Sequence, residues 1–400
     1  MSTPSQGPRL STLILLSALA ILPINIFLPS LPNMAATFGV DYGVMGLTLT
    51  AYAMVSACLQ VVLGPLSDRF GRRPVIIWGL VIFVMASLGC AFAPDATTLL
   101  ACRMVQAVIA PTYAVSIAVI RDTTSKEQTA GRIGYVAMAW ALAPMLGPTL
   151  GGLLDQAFGW RASFWFLALA GMGVFTLCWF DLRETNHRRS STITEQFRTY
   201  PELLGSPRFW AYALCMAFSA GAFYAFLAGA PLAAGAAFDL SPAMLGLAMG
   251  SITAGFMFGS FLAGRLAGRY RLTEMLVAGR GFACAGLLLG LALAGIDHVF
   301  ALFGPCLSVG IANGLTQPGA NAGAVSVRPQ HTGSAAGLAG AIAVAGGATM
   351  SAISGAVLTA ENARYALLGV MLASSVIALA AAVAAHRLET ADYSPSKPSR

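Results

Sequence analysis

Long apolar stretches separated by short polar punctuation run the whole length of the chain. Read as helices, they fall at 10–28, 44–63, 75–93, 97–119, 132–154, 160–181, 209–230, 242–264, 273–295, 298–320, 332–358 and 363–386. Each is close to the ~20 apolar residues that cross a hydrocarbon core about 30 Å thick. Very tight turns are expected at 154–160 and 295–298. The first run is too long for a signal peptide, contains Pro23 and Asn25, and is followed by further spans, so it is expected to stay as a first helix. The longest hydrophilic stretch, 182–208, carries Arg183, Glu184, His187, Arg188, Arg189, Glu195, Arg198, Glu202 and Arg208, and splits the spans six and six.

The two sets of six resemble each other. Gly64-Pro65-Leu66-Ser67-Asp68-Arg69-Phe70 and Gly264-Arg265-Leu266-Ala267-Gly268-Arg269-Tyr270 align at an offset of 200 residues, each after the second span of its half. The expected fold class is therefore an all-α membrane protein of twelve transmembrane helices in two six-helix pseudo-symmetric bundles. Residues 1–181 form the N-terminal bundle, 182–208 a cytoplasmic linker, and 209–400 the C-terminal bundle with a short tail.

Composition agrees with this reading. Apolar residues make up 57% of the chain and charged residues 10%, against about 25% charged in soluble domains. The net charge of +7 comes from 23 basic residues, 21 of them arginine, scattered through short loops. A cationic face against anionic lipid explains them, and no nucleic-acid partner is expected. Nineteen of the 23 lie in the termini and even-numbered loops, among them Arg69, Arg72, Arg73, Arg121, Lys126, Arg188, Arg189, Arg265, Arg269, Arg271 and Arg328. Only Arg161 and Arg364 lie on the opposite side, which places both termini in the cytoplasm. The seven cysteines sit in apolar runs with no metal or redox spacing and read as packing residues.

Four motifs carry chemistry. In the block from Gly64 to Val75, four charges occupy six residues between two uncharged runs. Gly64 and Gly71 permit a tight turn and close helix approach. Asp68 can accept bonds from a helix N-terminus, and Arg69 and Arg73 can pair with carboxylates, locking one conformation and releasing in another; Arg72 belongs to the same expected gate. Arg121 and Asp122 lie at the same mouth, and Arg269 is the counterpart of Arg69 in the second half. Arg103 lies within the fourth span in Arg103-Met104-Val105-Gln106-Ala107, where a charge is expensive and marks a functional position. In the fifth, Pro144, Gly147, Pro148, Gly151 and Gly152 combine helix-bending prolines with glycines that let backbones approach. Asn25-Ile26-Phe27-Leu28-Pro29-Ser30-Leu31-Pro32 closes the first span.

These motifs resemble those of the major facilitator superfamily: its loop between the second and third helices, its fourth-helix arginine motif and the fifth-helix motif associated with antiporters. The first-helix segment resembles the bicyclomycin and chloramphenicol resistance (Bcr/CflA) drug:proton antiporters. The C-terminal half matches mainly in span layout, in Arg280 and in Pro207-Arg208-Phe209-Trp210. The resemblance implies a monomeric, alternating-access exporter of small, moderately hydrophobic compounds in the bacterial inner membrane, coupled to protons and needing no cofactor. It departs at Asn25, where the family commonly has aspartate.

No Asp or Glu lies deep in any expected span; Asp155, Asp181 and Glu274 are near span ends. Proton coupling would then depend on Asp41, Asp68 and Asp122 at the mouths, or on the substrate. Asn25, Tyr52, Arg103, Gln106, Tyr113, Tyr135, Trp140, Phe223, Tyr224, Asn313 and Gln317 are the expected cavity residues. An apolar, aromatic cavity with few polar groups suits amphipathic small molecules. The rival expectation is a carrier for one metabolite, such as a nucleoside or amino-acid derivative, with coupling altered by Asn25. The chain carries no phosphate-binding loop, so ATP is not expected to drive transport, and no catalytic motif points to an enzyme.

Overall fold

The apolar runs become long helices. The structure, a computed structural model, describes residues 7–124, 126–186, 200–238, 240–266, 268–328 and 332–392. Among these, twelve helical spans follow one another: Leu10–Phe38, Tyr42–Phe70, Arg72–Ala91, Ala96–Thr123, Lys126–Phe158, Arg161–Asp181, Pro207–Phe238, Pro242–Leu266, Leu272–Leu293, Val299–Ser326, Thr332–Val357 and Ala363–Asp392. Eleven are long and apolar enough to cross a membrane. The other, the fifth, is a 33-residue helix containing Pro144 and Pro148.

Several boundaries differ from the sequence pattern. The first span passes beyond residue 28 because Pro29 and Pro32 occupy early positions of new turns. A 3-10 turn at Leu28–Ser30 leads into helix Leu31–Phe38, which Gly39 ends at φ 64°. The second span continues as helix to Phe70, so the block expected as a loop is mostly helical. Gly64 lies inside that helix, and the tight turn is made by Gly71 alone, at φ 108°. Most of the linker expected at 182–208, namely 187–199, lies outside the described residues, and a short helix Tyr200–Leu204 precedes the seventh span.

Carboxylates tie the ends of each half together. Asp181, closing the sixth span, accepts the Arg9 backbone N–H at 2.8 Å and the Thr12 hydroxyl at 2.6 Å, at the start of the first span. Glu184 then accepts the backbone N–H groups of Arg72 and Arg73 at 3.0 and 3.3 Å, satisfying the free N-terminus of the third. In the second half one residue does both jobs. Glu389 of the twelfth span accepts from Arg208 at 2.9 Å, from the Tyr212 hydroxyl and from the Thr273 hydroxyl at 3.2 Å. Arg208 and Tyr212 begin the seventh span, and Thr273 begins the ninth.

The fifth span joins the halves. On one face Gly147, Gly151 and Asp155 meet Asn25, Ile26 and Asn33 of the first span. On the other, Pro148 and Gly152 meet Gly246 and Pro242 of the eighth. A methyl group at Gly151 would overlap the Ile26 carbonyl, and one at Gly152 the Pro242 carbonyl, so only glycine allows this approach. The second and eleventh spans make the other seam: Gly43 abuts Gly355, and the Thr50 hydroxyl donates to Ser351 at 3.0 Å. These contacts lie on the arginine-poor side of the spans.

Candidate functional site

The fourth span is a helix, Ala96–Gln106, broken by a 3-10 turn at Ala107–Ile109 before it resumes at Thr112. Arg103 lies just before the break, with none of its surface exposed. Its guanidinium lies over two rings, 4.2 Å from the Phe27 centroid and 4.5 Å from that of Tyr52. The negative ring faces partly replace the water that the charge has lost. Nη1 donates to the Gln106 side chain, whose Nε2 donates to Ser87 at 2.8 Å on the third span. Ser87 in turn donates to the Phe83 carbonyl at 2.7 Å.

Among the described residues, Arg103 Nε and Nη2 find no hydrogen-bond partner, and neither does the Tyr52 hydroxyl. Asn25, also buried, donates to the Ile21 carbonyl at 2.9 Å and leaves its carbonyl oxygen unpartnered. Its side chain lies against Gly147. The first-span residue stacked on Arg103 is thus Phe27.

A second buried arginine occupies the other half. Arg280 of the ninth span donates to Asn313 at 2.8 Å and to the Thr316 hydroxyl, both on the tenth. Asn313 passes the chain on to the Ser219 carbonyl of the seventh at 3.2 Å. Asn313, expected as a cavity group, is committed to this network.

The other expected cavity residues are more dispersed. Tyr113 is half-buried and lies beyond the 3-10 turn, which breaks the common helical face expected for Arg103, Gln106 and Tyr113. Phe223 and Tyr224 pack edge to face, with centroids 6.1 Å apart. Gln317 is half-buried, and Tyr135 is 56% exposed. The side chain of Trp140 lies outside the described residues.

At the arginine-rich mouth, Arg72 pairs with Asp122 at 3.3 Å and donates to the Ser67 hydroxyl at 2.6 Å. Arg73 donates to the Trp179 carbonyl at 3.0 Å, while Arg69 lies over the Phe70 ring. Arg121 and Arg269 are exposed, and the Asp68 side chain lies outside the described residues. Phe27, Ser87, Glu184 and Asp155 were not singled out by sequence reading. Phe27 lay within the first-helix motif, whereas a lone serine or glutamate carries no local signal.

Two helical halves meeting along glycine-lined seams, with a buried arginine in each, define a membrane carrier. The Major Facilitator Superfamily profile matches residues 13–351 and 232–399, and the chain belongs to that family of transporters. It is 32% identical over 309 residues to the "Chloramphenicol resistance protein" of Pseudomonas aeruginosa, covering 75% of this chain and 73% of that one. It is 28% identical over 347 residues to "Multidrug resistance protein D" of Escherichia coli (strain K12), covering 86% and 87%. Among solved structures, a bacterial homolog of the human lysosomal transporter Spinster, inward-facing and unoccupied, superposes with TM-score 0.78 at 16% identity, over 97% of this chain and 98% of that one. A mutant form of the nucleoside transporter NupG gives 0.76 at 13%, covering 95% and 99%. At such identities these structures speak for the fold alone.

Proposed function

We propose that this protein exports small, moderately hydrophobic compounds across the bacterial inner membrane by alternating access, as a proton antiporter of the Bcr/CflA type. The observation that carries this reading is the caged Arg103. A charge with two free nitrogens, lying over aromatic rings of the first and second spans, is placed to meet a substrate entering between the halves. The relatives named for chloramphenicol and multidrug resistance support export. With both termini cytoplasmic, the seams close the outer side, and the conformation is the one loaded from the cytoplasm. The contacts of Arg72 with Ser67 and Asp122 form part of the inner gate, together with Asp68 and Arg69.

Coupling to protons falls on carboxylates near the ends of the spans. Asp41, Asp68 and Asp122 remain in this role, and Asp155 joins them as the one Asp or Glu buried among the described residues. The reading is tested by expression in a drug-sensitive bacterium, followed by efflux in everted vesicles with and without a proton gradient. Resistance to amphipathic compounds, lost when the gradient is collapsed, is expected. Wild-type sensitivity across a broad panel would overturn it. A second reading, a carrier for one metabolite with weakened coupling, is favoured by Asn25 alone; efflux of one metabolite independent of the gradient would select it.

A further inference from the structure

The guanidinium of Arg103 lies over both the Phe27 and the Tyr52 ring, and its Nη1 is taken by Gln106. What remains free is one edge, made by Nε and Nη2, with the Tyr52 hydroxyl also unpartnered. That edge presents two parallel N–H donors at the spacing of the two oxygens of a carboxylate. No carboxylate among the described residues lies within ion-pair distance of Arg103. A buried donor pair is costly to leave empty.

We infer that the Nε–Nη2 edge of Arg103 is a subsite for a carboxylate on the transported molecule, and that it selects acidic amphiphiles over matched organic cations. The inference rests on the export reading and names its substrate class. Tyr52 controls access. It lies on the second span two residues after Thr50, which bonds Ser351 of the eleventh across the seam. When that seam parts, the Tyr52 ring is freed to move, opening a path to the donor edge. A cation brought to the same place meets a like charge in a medium of low dielectric, where repulsion is barely screened. Arg280 strengthens this bias, since it adds a second buried positive charge without a carboxylate partner.

The test uses the purified full chain in detergent and three compounds of one aromatic skeleton: the carboxylic acid, its methyl ester and the corresponding primary amine. Binding is followed by tryptophan fluorescence and transport in proteoliposomes. The acid is expected to bind at least tenfold more tightly than the ester, and the amine more weakly than either. Arg103→Gln should erase the acid's advantage, bringing acid and ester to equal affinity. Arg103→Lys, which keeps the charge without the fork, should recover only part of it. Equal affinity for acid, ester and amine, or an acid preference that survives Arg103→Gln, would overturn the inference. Chloride titrated without compound separates the remaining source of an anion: saturable chloride binding lost in Arg103→Gln, with no acid preference, would also overturn it. If none of the three compounds, nor any of a broad panel, is transported, the export reading itself fails. Equal transport of ester, amine and acid sinks only the carboxylate subsite.

Discussion

Arg103 and Arg280 are each fully buried, one in each half, yet they are held differently. Arg280 spends Nη1 on Asn313 and Nη2 on Thr316, and its network reaches a third helix through Ser219. Arg103 makes one side-chain bond and is otherwise boxed by rings, leaving Nε and Nη2 free. The same residue type serves as a staple when both terminal nitrogens are bonded by the protein, as in Arg280, where only Nε is left over, and as a receptor when Nε and Nη2 of one edge are both left empty, as in Arg103. A buried arginine is thus a strong sign of function in a membrane helix, but its unfilled donors say which function.

The largest expected effect separates the two. Arg103→Met should cut transport by roughly a hundredfold, as expected where a charge-assisted contact to substrate is lost, with little change in melting temperature. Arg280→Met should instead lower stability by about 1–3 kcal/mol, because Asn313 loses its donor inside the bundle. Transport assays and thermal melts of both variants in one detergent decide the matter. Abolished transport with an unchanged melt in Arg280→Met would make the two arginines equivalent and break the comparison.

The carboxylates at the span ends sharpen it. Glu389 gathers three side chains from two spans, whereas in the first half Asp181 and Glu184 share that task. Glu389→Ala should therefore cost more stability than Glu184→Ala, by about 1 kcal/mol, the loss being limited because Glu389 and Arg208 are partly exposed. Denaturant melts showing the reverse order would remove this asymmetry.

The narrowest contrast concerns two turn glycines. Gly71, at φ 108°, has the Glu184 carboxylate against it, while Gly268, at φ 83°, has open space around it. Gly268→Ala should cost only the backbone strain of about 1–2 kcal/mol. Gly71→Ala should cost more, since the carboxylate must also leave the third-span N-terminus. Equal melting shifts would show that Glu184 contributes nothing there.

Much of this architecture was legible along the chain. A charged block between apolar runs, an arginine inside a span and a proline–glycine cluster are local signals, since each is anomalous beside its own neighbours. The continuation of the second span to Phe70 was not legible. The charges there suggested a loop, but a helix leaving the membrane carries polar residues without breaking. The common face expected for Arg103, Gln106 and Tyr113 failed for a similar reason, because one 3-10 turn shifts the register of everything after it.

The sequence by itself determined the class of the protein, the span layout, the side on which arginine gathers and the identity of the charged residue inside the fourth span. Hydropathy and charge partition between lipid and water segment by segment, so these needed no knowledge of contacts. Only the tertiary structure decided that Phe27 and Tyr52 lie against Arg103, that Asn25 turns toward Gly147, and that Arg280 has both terminal nitrogens bonded while Arg103 leaves Nη2 as well as Nε unpartnered. Those outcomes depend on which faces of distant helices meet. Shifting a helix by one residue rotates each of its side chains by about 100°, so packing between helices, and not the pattern within one, settles which buried donors find a partner.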